Sequence, residues 1–478
     1  MTIPRHLAFA SVLVSSTLAI PVLVQASPTF EPVALTLETA PNTNEPFLNF
    51  EPPAINNRGE TMFGGFFGPR SFDFEAGFFT VDGSGSGNLV VSTGDTAPET
   101  AGATFFGFSY PSSFNDKGEL AFTGNFGSDG EGVFKTSGSD LELLARNNDS
   151  GLSGGFDFSE FSAPVINNDG TTAFRGDRKS SNDFGIFKAT NTELQQVARE
   201  GDAAPGISGF EHLILGDPRL NDSGDLAFSS LIAKPGETIN EAIATIFRET
   251  DGNVDLFVRE GDEAPGTSDG TFGQLGAPVV NNSDGIAFGA FFEEPGASSG
   301  KRGIFADIGN GLGLVARTGD VAPGADGIEF NFFGRYALND EGDIAFSSTL
   351  SGSGVNRDND EGLFFKPADG PLELVLREGD LLEIAAGDNR EVTDFNLVSN
   401  GAFLNNSDQI AFEAEYAVDV GGSRSGIFTA SIEPTPTRIP VPSSFGLLCG
   451  GLALLGWFTR RVHGVKGRPP SNTKYSAP

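Results

Sequence analysis

Seven near-copies of one phrase, NxxGxxAF in its commonest form, run through this chain. One copy reads INNDGTTAF at Ile166–Phe174, and another reads LNDSGDLAF at Leu220–Phe228. The first Asn of each copy is Asn56, Asn115, Asn167, Asn221, Asn281, Asn339 or Asn405, and the spacings run from 52 to 66 residues. Such a repeat predicts an array of similar units that bury their apolar faces against one another.

Each repeat unit predicts four short strands. In the third unit the extended segments are Pro164–Ile166, Thr171–Arg175, Gly185–Ala189 and Glu193–Arg199. The letters Asn-Asn-Asp-Gly between the first two are typical of a tight turn, because Asn and Asp bond their own backbone and Gly accepts a positive φ. Ala173 and Phe174 make their strand apolar on both faces, which indicates a sheet that is covered on both sides. We therefore interpret the repeated phrase as structural.

Four short strands in a period of about 50–60 residues are typical of a propeller blade. A β-solenoid coil is much shorter, and helical repeats would show a period of about 3.6 residues, which is not seen here. Seven units fall within the usual range of about 4–8 blades. The predicted fold is an all-β, seven-bladed β-propeller over residues 27–433. The chain resembles bacterial tandem-repeat proteins named for the NxxGxxAF phrase, a resemblance that implies no catalytic motif.

The last repeat predicts how the ring closes. After Ser425–Glu433 it has no fourth strand, whereas Pro32–Asn42 has the sequence of one. We expect Val33–Glu38 to complete the seventh blade, which removes an open sheet edge. In this arrangement Leu35 lies near Phe428. The side chains expected to be buried are those of Val33, Leu35 and Leu37.

Both ends of the sequence predict an export route. Residues 1–26 have one Arg, an apolar run and small residues before Ser27, as a secretory signal peptide does. Residues 434–442 are a Pro/Thr-rich linker, residues 443–459 an apolar stretch and residues 460–478 a basic tail. The apolar stretch and the arginines after it predict a transmembrane helix with a cytoplasmic basic end. The expected location is the cell envelope or the extracellular space, with the helix as an anchor.

The linker and the helix resemble a PEP-CTERM sorting signal. The matching residues are Pro440, Pro442 and Ser443, followed by the Gly/Leu-rich stretch and by Arg460 and Arg461. The resemblance implies a bacterial surface protein recognised by an exosortase-like sorting enzyme, in cells that make exopolysaccharide. The implied partners are that enzyme, the membrane, and exopolysaccharide or another surface protein.

The charge of the chain argues against one class of partner. All 64 acidic residues but only 23 of the 30 basic residues lie between Glu31 and Glu433, so this region carries a formal charge of −41. Such a surface repels phosphate backbones, and we expect no binding of nucleic acid. The only cysteine, Cys449, lies in the apolar stretch, which rules out an intramolecular disulfide.

No set of residues in the sequence points to a reaction. Of the three histidines, His6 and His463 lie near the ends of the chain, and His212 has no Ser or Cys nucleophile motif nearby. We therefore expect no enzyme. The alternative is an extracellular hydrolase acting on a glycan or an ester, because many acids can form a carboxylate pair about 5–10 Å apart. The sequence selects no such pair.

Two acidic loops are candidates for weak calcium binding. Asp222 and Asp225 lie in NDSGD, and Asp358 and Asp360 lie in NRDNDEG. Carboxylate oxygens suit Ca²⁺, but neither loop has the spacing of an EF-hand, and a solvated turn is the competing interpretation. No other cofactor is expected.

These features together predict an exported, membrane-anchored propeller without catalytic activity. Its expected role is to bind exopolysaccharide or another surface component, or to serve as a structural surface protein. Clustered exposed aromatic and acidic residues on one face would favour binding or hydrolysis over a purely structural role.

Overall fold

The computed structural model describes residues 28–432, apart from 71–72, 139, 149–155, 180–182, 191–192, 298, 325–326 and 420. The described residues belong to one compact unit, Ser27–Glu433. The predicted signal peptide, linker, transmembrane helix and basic tail lie outside them. Within the described residues, no helix combines the length and the apolar character needed to cross a membrane.

Seven antiparallel sheets form the seven blades. The chain starts with β1 (Thr29–Leu35), which is described below with blade 7. Blade 1 contains β2 (Phe47–Phe50), β3 (Ala54–Ile55), β4 (Thr61–Arg70), β5 (Asp73–Val81) and β6 (Gly87–Ser92). Blade 2 contains β7 (Phe105–Phe114), β8 (Leu120–Phe126), β9 (Gly130–Ser137) and β10 (Asp140–Arg146). Blade 3 contains β11 (Phe158–Phe161), β12 (Val165–Ile166), β13 (Thr172–Arg178), β14 (Asp183–Ala189) and β15 (Leu194–Arg199).

The next three blades repeat this plan. Blade 4 contains β16 (Glu211–Leu215), β17 (Arg219–Leu220), β18 (Leu226–Ala233), a 3-10 helix (Ile239–Glu241), β19 (Ile243–Thr250) and β20 (Asn253–Arg259). Blade 5 contains β21 (Thr271–Leu275), β22 (Val279–Val280), β23 (Ile286–Glu293), β24 (Lys301–Asp307) and β25 (Gly313–Arg317). Blade 6 contains β26 (Ile328–Leu338), β27 (Ile344–Gly352), β28 (Glu361–Lys366) and β29 (Glu373–Arg377).

Blade 7 joins the two ends of the propeller. It contains β30 (Leu381–Ala385), β31 (Asp388–Asn396), β32 (Gln409–Ala417) and β33 (Ser423–Ser431). Its sheet has the order β1-β33-β32-β31-β30, so the first strand of the chain pairs with the last. The all-β, seven-bladed fold and its closure by an N-terminal strand are confirmed.

The register of β1 differs from the expected one. A β-bulge between Pro32 and Ala34 shifts the pairing of β1 with β33. As a result Leu35 is opposite Gly426, and Pro32 is opposite Phe428. Leu35 and Phe428 are therefore not direct partners in the ladder, because a bulge adds one residue that sequence alternation does not reveal, although Leu35 still packs against the core cluster that contains Phe428.

The bulge also changes which side chains of this segment are buried. Ala34 and Thr36 are buried, whereas Val33 and Leu35 are only partly buried. Leu37 lies beyond the strand with a φ of 74° and is 58% exposed. Its expected burial is wrong, because it belongs to the turn after β1 and not to the strand.

Each blade is built around one pair of stacked phenylalanines. The Phe that ends the repeated phrase packs on a Phe of the next strand, as Phe174 does on Phe187 with ring centroids 5.8 Å apart and planes 24° apart. All seven blades repeat this pair, with centroids 5.5–6.0 Å apart. Both rings of the blade 3 pair and the neighbouring Ala173 have no exposed surface. The strand is thus covered on both faces, as its sequence predicts.

The first strand of four blades is in two pieces, of which the sequence predicts only the second. In blade 3, β11 and β12 both pair with β13. The break before the second piece ends in Pro53, Pro164, Pro218 or Pro278, and proline has no N–H to donate to a strand ladder. In blade 6 Tyr336 occupies the corresponding place, and β26 runs on without a break.

Candidate functional site

The repeated turns meet around a central cavity of about 180 Å³. Oδ1 of Asn167 accepts hydrogen bonds from the N–H groups of Asp169 and Thr171, at 3.1 and 3.0 Å, which closes the turn. Its Nδ2 donates to the backbone O of Asn221 in the next blade, at 3.0 Å. The same bond to the next repeat is made by Asn56, Asn115, Asn281, Asn339 and Asn405. These turn asparagines therefore close their own turns and join neighbouring blades.

A second ring of hydrogen bonds follows the first. The backbone N–H of Asn168 donates to Oδ1 of Asp222 at 2.8 Å, and the N–H of Asp222 donates to Oδ1 of Asn282 at 2.7 Å. All seven junctions have this bond. The ring consists of Asn57, Asp116, Asn168, Asp222, Asn282, Asp340 and Asn406. Asp222, a calcium candidate, is thus already bonded through Oδ1 and, from Asn168 Nδ2, through Oδ2.

One segment of blade 7 lines the central cavity and is hydrogen-bonded to blades 1, 2 and 4. The N–H of Ile55 donates to the backbone O of Ala402 at 2.8 Å, and Nδ2 of Asn400 donates to the backbone O of Ser112 at 3.0 Å. Residues 398–402, which we call the plug, explain part of the long spacing of 66 residues before Asn405. Ser399 of the plug lines one side of the pocket described next.

A pocket of about 330 Å³ lies between blades 5 and 6, next to the plug. Three arginines from three blades line it: Arg219 on β17, Arg302 on β24 and Arg335 on β26. Aromatic side chains line it as well, among them Phe332, which is 45% exposed. The pocket therefore combines cationic groups with an accessible apolar ring.

Arg219 is the exception among equivalent positions of the repeats. The residue two places before the turn asparagine is Ala54, Ser113, Val165, Val279, Ala337 or Phe403 in the other blades. The Nη atoms of Arg219 donate to the backbone oxygens of Pro218 and Ser399, at 2.9 and 3.3 Å. Its buried Nε has no hydrogen-bond partner among the described residues. Burial lowers the pKa of this guanidinium from its usual value.

The other two arginines are exposed and point to different parts of the pocket wall. The guanidinium of Arg302 lies over the Phe332 ring, 5.0 Å from its centroid. Arg335 adjoins Tyr336, whose hydroxyl donates to the backbone O of Ala277. Burial raises the pKa of Tyr336, while the positive charges of Arg219 and Arg335 oppose that rise.

Among the described residues, no ion pair joins an acid to any of the three pocket arginines. The charge of Asp217 raises the pKa of Arg219, but the carboxylate of Asp217 forms its ion pair with Arg175, at 3.0 Å. Arg199, at the end of β15, behaves differently. It pairs with Asp183, 2.5 Å away in the same blade.

A group of acids lies between blades 6 and 7. One carboxylate oxygen from each of Glu361, Glu378 and Asp394 lies within 4.8 Å of the others. Glu378 is only 7% exposed, and burial raises its pKa to about 7. Nearby on β32, burial raises the pKa of Glu413 to about 7 as well. Such a group can hold a proton or a hard cation, depending on pH.

The four sequence-predicted calcium candidates do not form one group. Asp222 lies in the second ring, and the N–H of Asp225 donates to Asn221 Oδ1 at 2.9 Å. Asp358 lies in a loop of blade 6, and the N–H of Asp360 donates to Glu378 Oε2 at 3.0 Å. Of the four, only Asp360 adjoins the acid group.

His212 is part of the core of blade 4. It is 3% exposed, and its Nδ1 lies 2.9 Å from Oγ of Ser230. Burial lowers the pKa of His212 to about 4, so the ring is neutral at neutral pH. His212 stands where other blades have a core phenylalanine such as Phe330, and it is enclosed by Phe228 and Phe247. His212 and Ser230 are therefore too deeply buried to contact a substrate.

Sequence reasoning missed the pocket, although one signal was available. In aligned repeats, Arg219 stands out in a column of small and apolar residues. Arg302, Phe332 and Arg335 have no comparable signal, because their columns vary from blade to blade. The sorting-signal residues Pro440, Pro442, Ser443, Arg460 and Arg461 lie outside the described part of the chain.

Comparisons with known proteins give a family and several propellers. The model of a family described as "Family of unknown function (DUF7453)" matches residues 6–439. No curated protein matches the chain. A protein of unknown function from Dyadobacter fermentans DSM 18053 is 12% identical, with a TM-score of 0.32, and the match covers 85% of this chain and 100% of that one.

Two further solved structures are similar at the same level. The Dos1 propeller is 10% identical, with a TM-score of 0.33, over 85% of this chain and 94% of that one. The six-bladed fucose-binding lectin of Aleuria aurantia is 9% identical, with a TM-score of 0.29, over 69% of this chain and 96% of that one. The function has to be argued from the residues of this chain.

Proposed function

The chain belongs to the DUF7453 family of unknown function, and we propose from its own geometry that it is an exported, membrane-anchored propeller that binds an anionic ligand without catalysis. The observation that carries the binding role is the pocket between blades 5 and 6. There Arg219, Arg302 and Arg335 line one cavity without a carboxylate partner among the described residues.

The donors of this pocket suit an anion. A buried donor without a partner costs about 1–3 kcal/mol, and the Nε of Arg219 is such a donor. Guanidinium groups present planar sets of donors that match the oxygens of a carboxylate or a similar anion. Because the surrounding region carries a formal charge of −41, the three arginines form a local positive site that singles out where an anion can bind.

The lining of the pocket supports binding without reaction. Its described lining residues include no Asp, Glu, His, Cys or Lys that could act as a base or a nucleophile. Ser399 is present, but catalysis by a serine needs an adjacent base. The rival function, a hydrolase, is favoured by a different observation, the acid group around Glu378 with its raised pKa. Turnover of a glycan or ester that Glu378→Gln abolishes would favour that rival.

Export and anchoring rest on the sequence. The signal-like residues 1–26 and the apolar residues 443–459 support them, and fractionation of cells tests them. The full chain should be found in the envelope fraction. A chain truncated before Pro440 should appear in the periplasm or the medium, whereas full chain in the cytosol would contradict the proposal.

Binding is tested by thermal shift and calorimetry on the purified full chain. The probes are inorganic phosphate, sulfate, glucuronate and cell-surface polysaccharide. The matched variant combines Arg219→Val with Arg335→Ala, since Val279 and Ala277 occupy these places in blade 5. At least one anion should stabilise the wild-type protein and not the double variant. Equal responses of both proteins to every probe would disprove an anion-binding pocket.

A further inference from the structure

The pocket is the middle of a longer groove. It shares Arg219 and Val279 with the central cavity of about 180 Å³. It shares Gln274, Phe291 and Arg302 with an outer cavity of about 520 Å³. The three cavities thus adjoin one another through these shared residues, which suits an extended ligand better than a single small ion.

The inner end of the groove suits a single anionic group. Arg219 is held by two backbone oxygens, so its guanidinium is fixed before a ligand arrives. Arg335 lies nearby on β26, in the strand that remains unbroken because Tyr336 replaces a proline. A fixed guanidinium and an exposed one can share the two oxygens of a carboxylate.

The middle of the groove suits a ring with an apolar face. Phe332 is 45% exposed, and Phe291 lines both the middle and the outer cavity. The face of an aromatic ring carries a partial negative charge, so it attracts the slightly positive C–H groups on the face of a pyranose. Arg302 lies on Phe332 and keeps the edge of its guanidinium free for ligand oxygens.

The outer end is polar and acidic. Gln274, Thr271, Glu260 and Glu293 line it. Amide and carboxylate groups accept hydrogen bonds from sugar hydroxyls. The same carboxylates repel closely spaced charges, such as the phosphates of a nucleic acid or a polyphosphate. A ligand that fits both ends has sparse negative charge and many hydroxyl groups.

We propose that this groove binds a linear polysaccharide in which a pyranose with a carboxylate alternates with neutral sugars, a uronate glycan of sparse charge. One carboxylate lies at Arg219 and Arg335, its ring lies against Phe332, and the hydroxyl groups of the next sugar reach Gln274 and Glu260. This assignment rests on the proposed function, because it names the ligand class of the same anion-binding pocket.

The test compares three probes by calorimetry on the full chain. They are an acid trimer in which one glucuronic acid lies between two neutral hexoses, the same trimer with its carboxylate methyl-esterified, and inorganic phosphate. Esterification removes the charge and keeps the ring shape. The acid trimer should bind, and the ester should bind at least about tenfold more weakly, because a hydrogen bond to a charged group contributes about 1.5–3 kcal/mol.

Variants locate the site. Arg219→Val and Arg335→Ala should each weaken binding of the acid trimer about 10- to 100-fold, and Phe332→Gln, which copies Gln274 of blade 5, should weaken both trimers. The control is Arg58→Ser, which removes one positive charge outside the three cavities and copies Ser223 of blade 4. It should leave the affinity unchanged.

The outcomes separate the two proposals. An ester that binds as tightly as the acid overturns the uronate assignment. Phosphate binding that depends on Arg219 and Arg335, without binding of the acid trimer, also overturns it and leaves the anion-binding function standing. If neither variant changes the binding of any probe, the proposed function fails as well. Melting curves verify folding, and Arg335→Ala changes an exposed side chain, so the test stands even if Arg219→Val destabilises the blade.

Discussion

Nδ2 of Asn405 lies 3.0 Å from the backbone O of Asn56, and this hydrogen bond joins the last repeat to the first across 349 residues of chain. The pairing of β1 with β33 makes a second connection between the two ends. The propeller is therefore closed both at the channel and within the sheet of blade 7.

Closure can be measured with a crosslink. Thr29 and Ser431 are direct partners in the β1–β33 register, so cysteines at these positions in a Cys449→Ser background should be joined within one chain by a short bismaleimide. The control pair is Thr29 with Ser423, eight residues further along β33, or about 26 Å at about 3.3 Å per residue. It should not react. Mass spectrometry reads the product, and equal yields from both pairs would contradict the register.

Leu37 should be a site where glycine stabilises the protein. Its φ of 74° is left-handed, and the N–H of Leu37 donates to the backbone O of Phe47. The same bond is made in other blades by Gly94, Gly201, Gly261, Gly319 and Gly379. Because its side chain is exposed, Leu37→Gly loses little burial and relieves strain, and we expect a gain of about 0.5–1 kcal/mol in urea unfolding. Leu37→Ala keeps the strain and should show no gain. A loss on Leu37→Gly would disprove this account.

Gly224 should tolerate Asp better than Val. Its φ is 87°, and a Cβ there would meet no atom within 4 Å, so only the backbone conformation matters. Asp284 and Asp408 occupy the same place in their turns with φ of 61° and 56°. Gly224→Val should cost about 1–3 kcal/mol, and Gly224→Asp clearly less. Because Asp284 is itself left-handed, Asp284→Val should also destabilise. Equal unfolding energies for the two Gly224 variants would refute the strain argument.

Stability should fall as pH rises from about 4.5 toward neutrality. Burial raises the pKa values of Glu378 and Glu413 from an ordinary 4.5 to about 7. Between these values the folded protein binds more protons than the unfolded chain, so the free energy of unfolding decreases with pH and levels off above about pH 7. Urea unfolding from pH 5 to pH 8 measures this slope. The double variant Glu378→Gln, Glu413→Gln should make the slope shallower, and the exposed control Glu75→Gln should leave it unchanged. The slope that remains comes in part from Asp408, because burial and the charge of Asp343 raise its pKa to about 7 as well.

Calcium should stabilise the protein weakly at pH 7.5. For a site with a dissociation constant of about 1 mM, 5 mM Ca²⁺ adds about 1 kcal/mol to the free energy of unfolding. Asp358→Asn and Glu378→Gln distinguish the loop from the acid group, and the effect should vanish at pH 5 because protonated carboxylates bind the ion poorly. An unchanged melting temperature with 5 mM Ca²⁺ at pH 7.5 removes calcium from consideration.

The sequence predicts the blades well because their information is local. Each repeated phrase forms a hairpin from its own residues, so its asparagine, its glycine and its final Phe predict that hairpin without knowledge of the other blades. The bulge after Pro32 and the path of the plug depend on contacts between distant blades, which repeat spacing does not encode. The pocket likewise depends on contacts between blades, since Arg219, Arg302 and Arg335 meet only after three blades have packed together.

The pairing of β1 with β33 also sets an order of events during synthesis. β1 is made first, but its partner follows roughly 400 residues later, which takes roughly 20–80 s at about 5–20 residues per second. During that interval Thr29–Leu35 has no partner strand and is accessible to the chaperones that bind unfinished chains. A chain that stops early never acquires β33 and keeps this segment free. Closure of the ring thus distinguishes a completed polypeptide from an interrupted one.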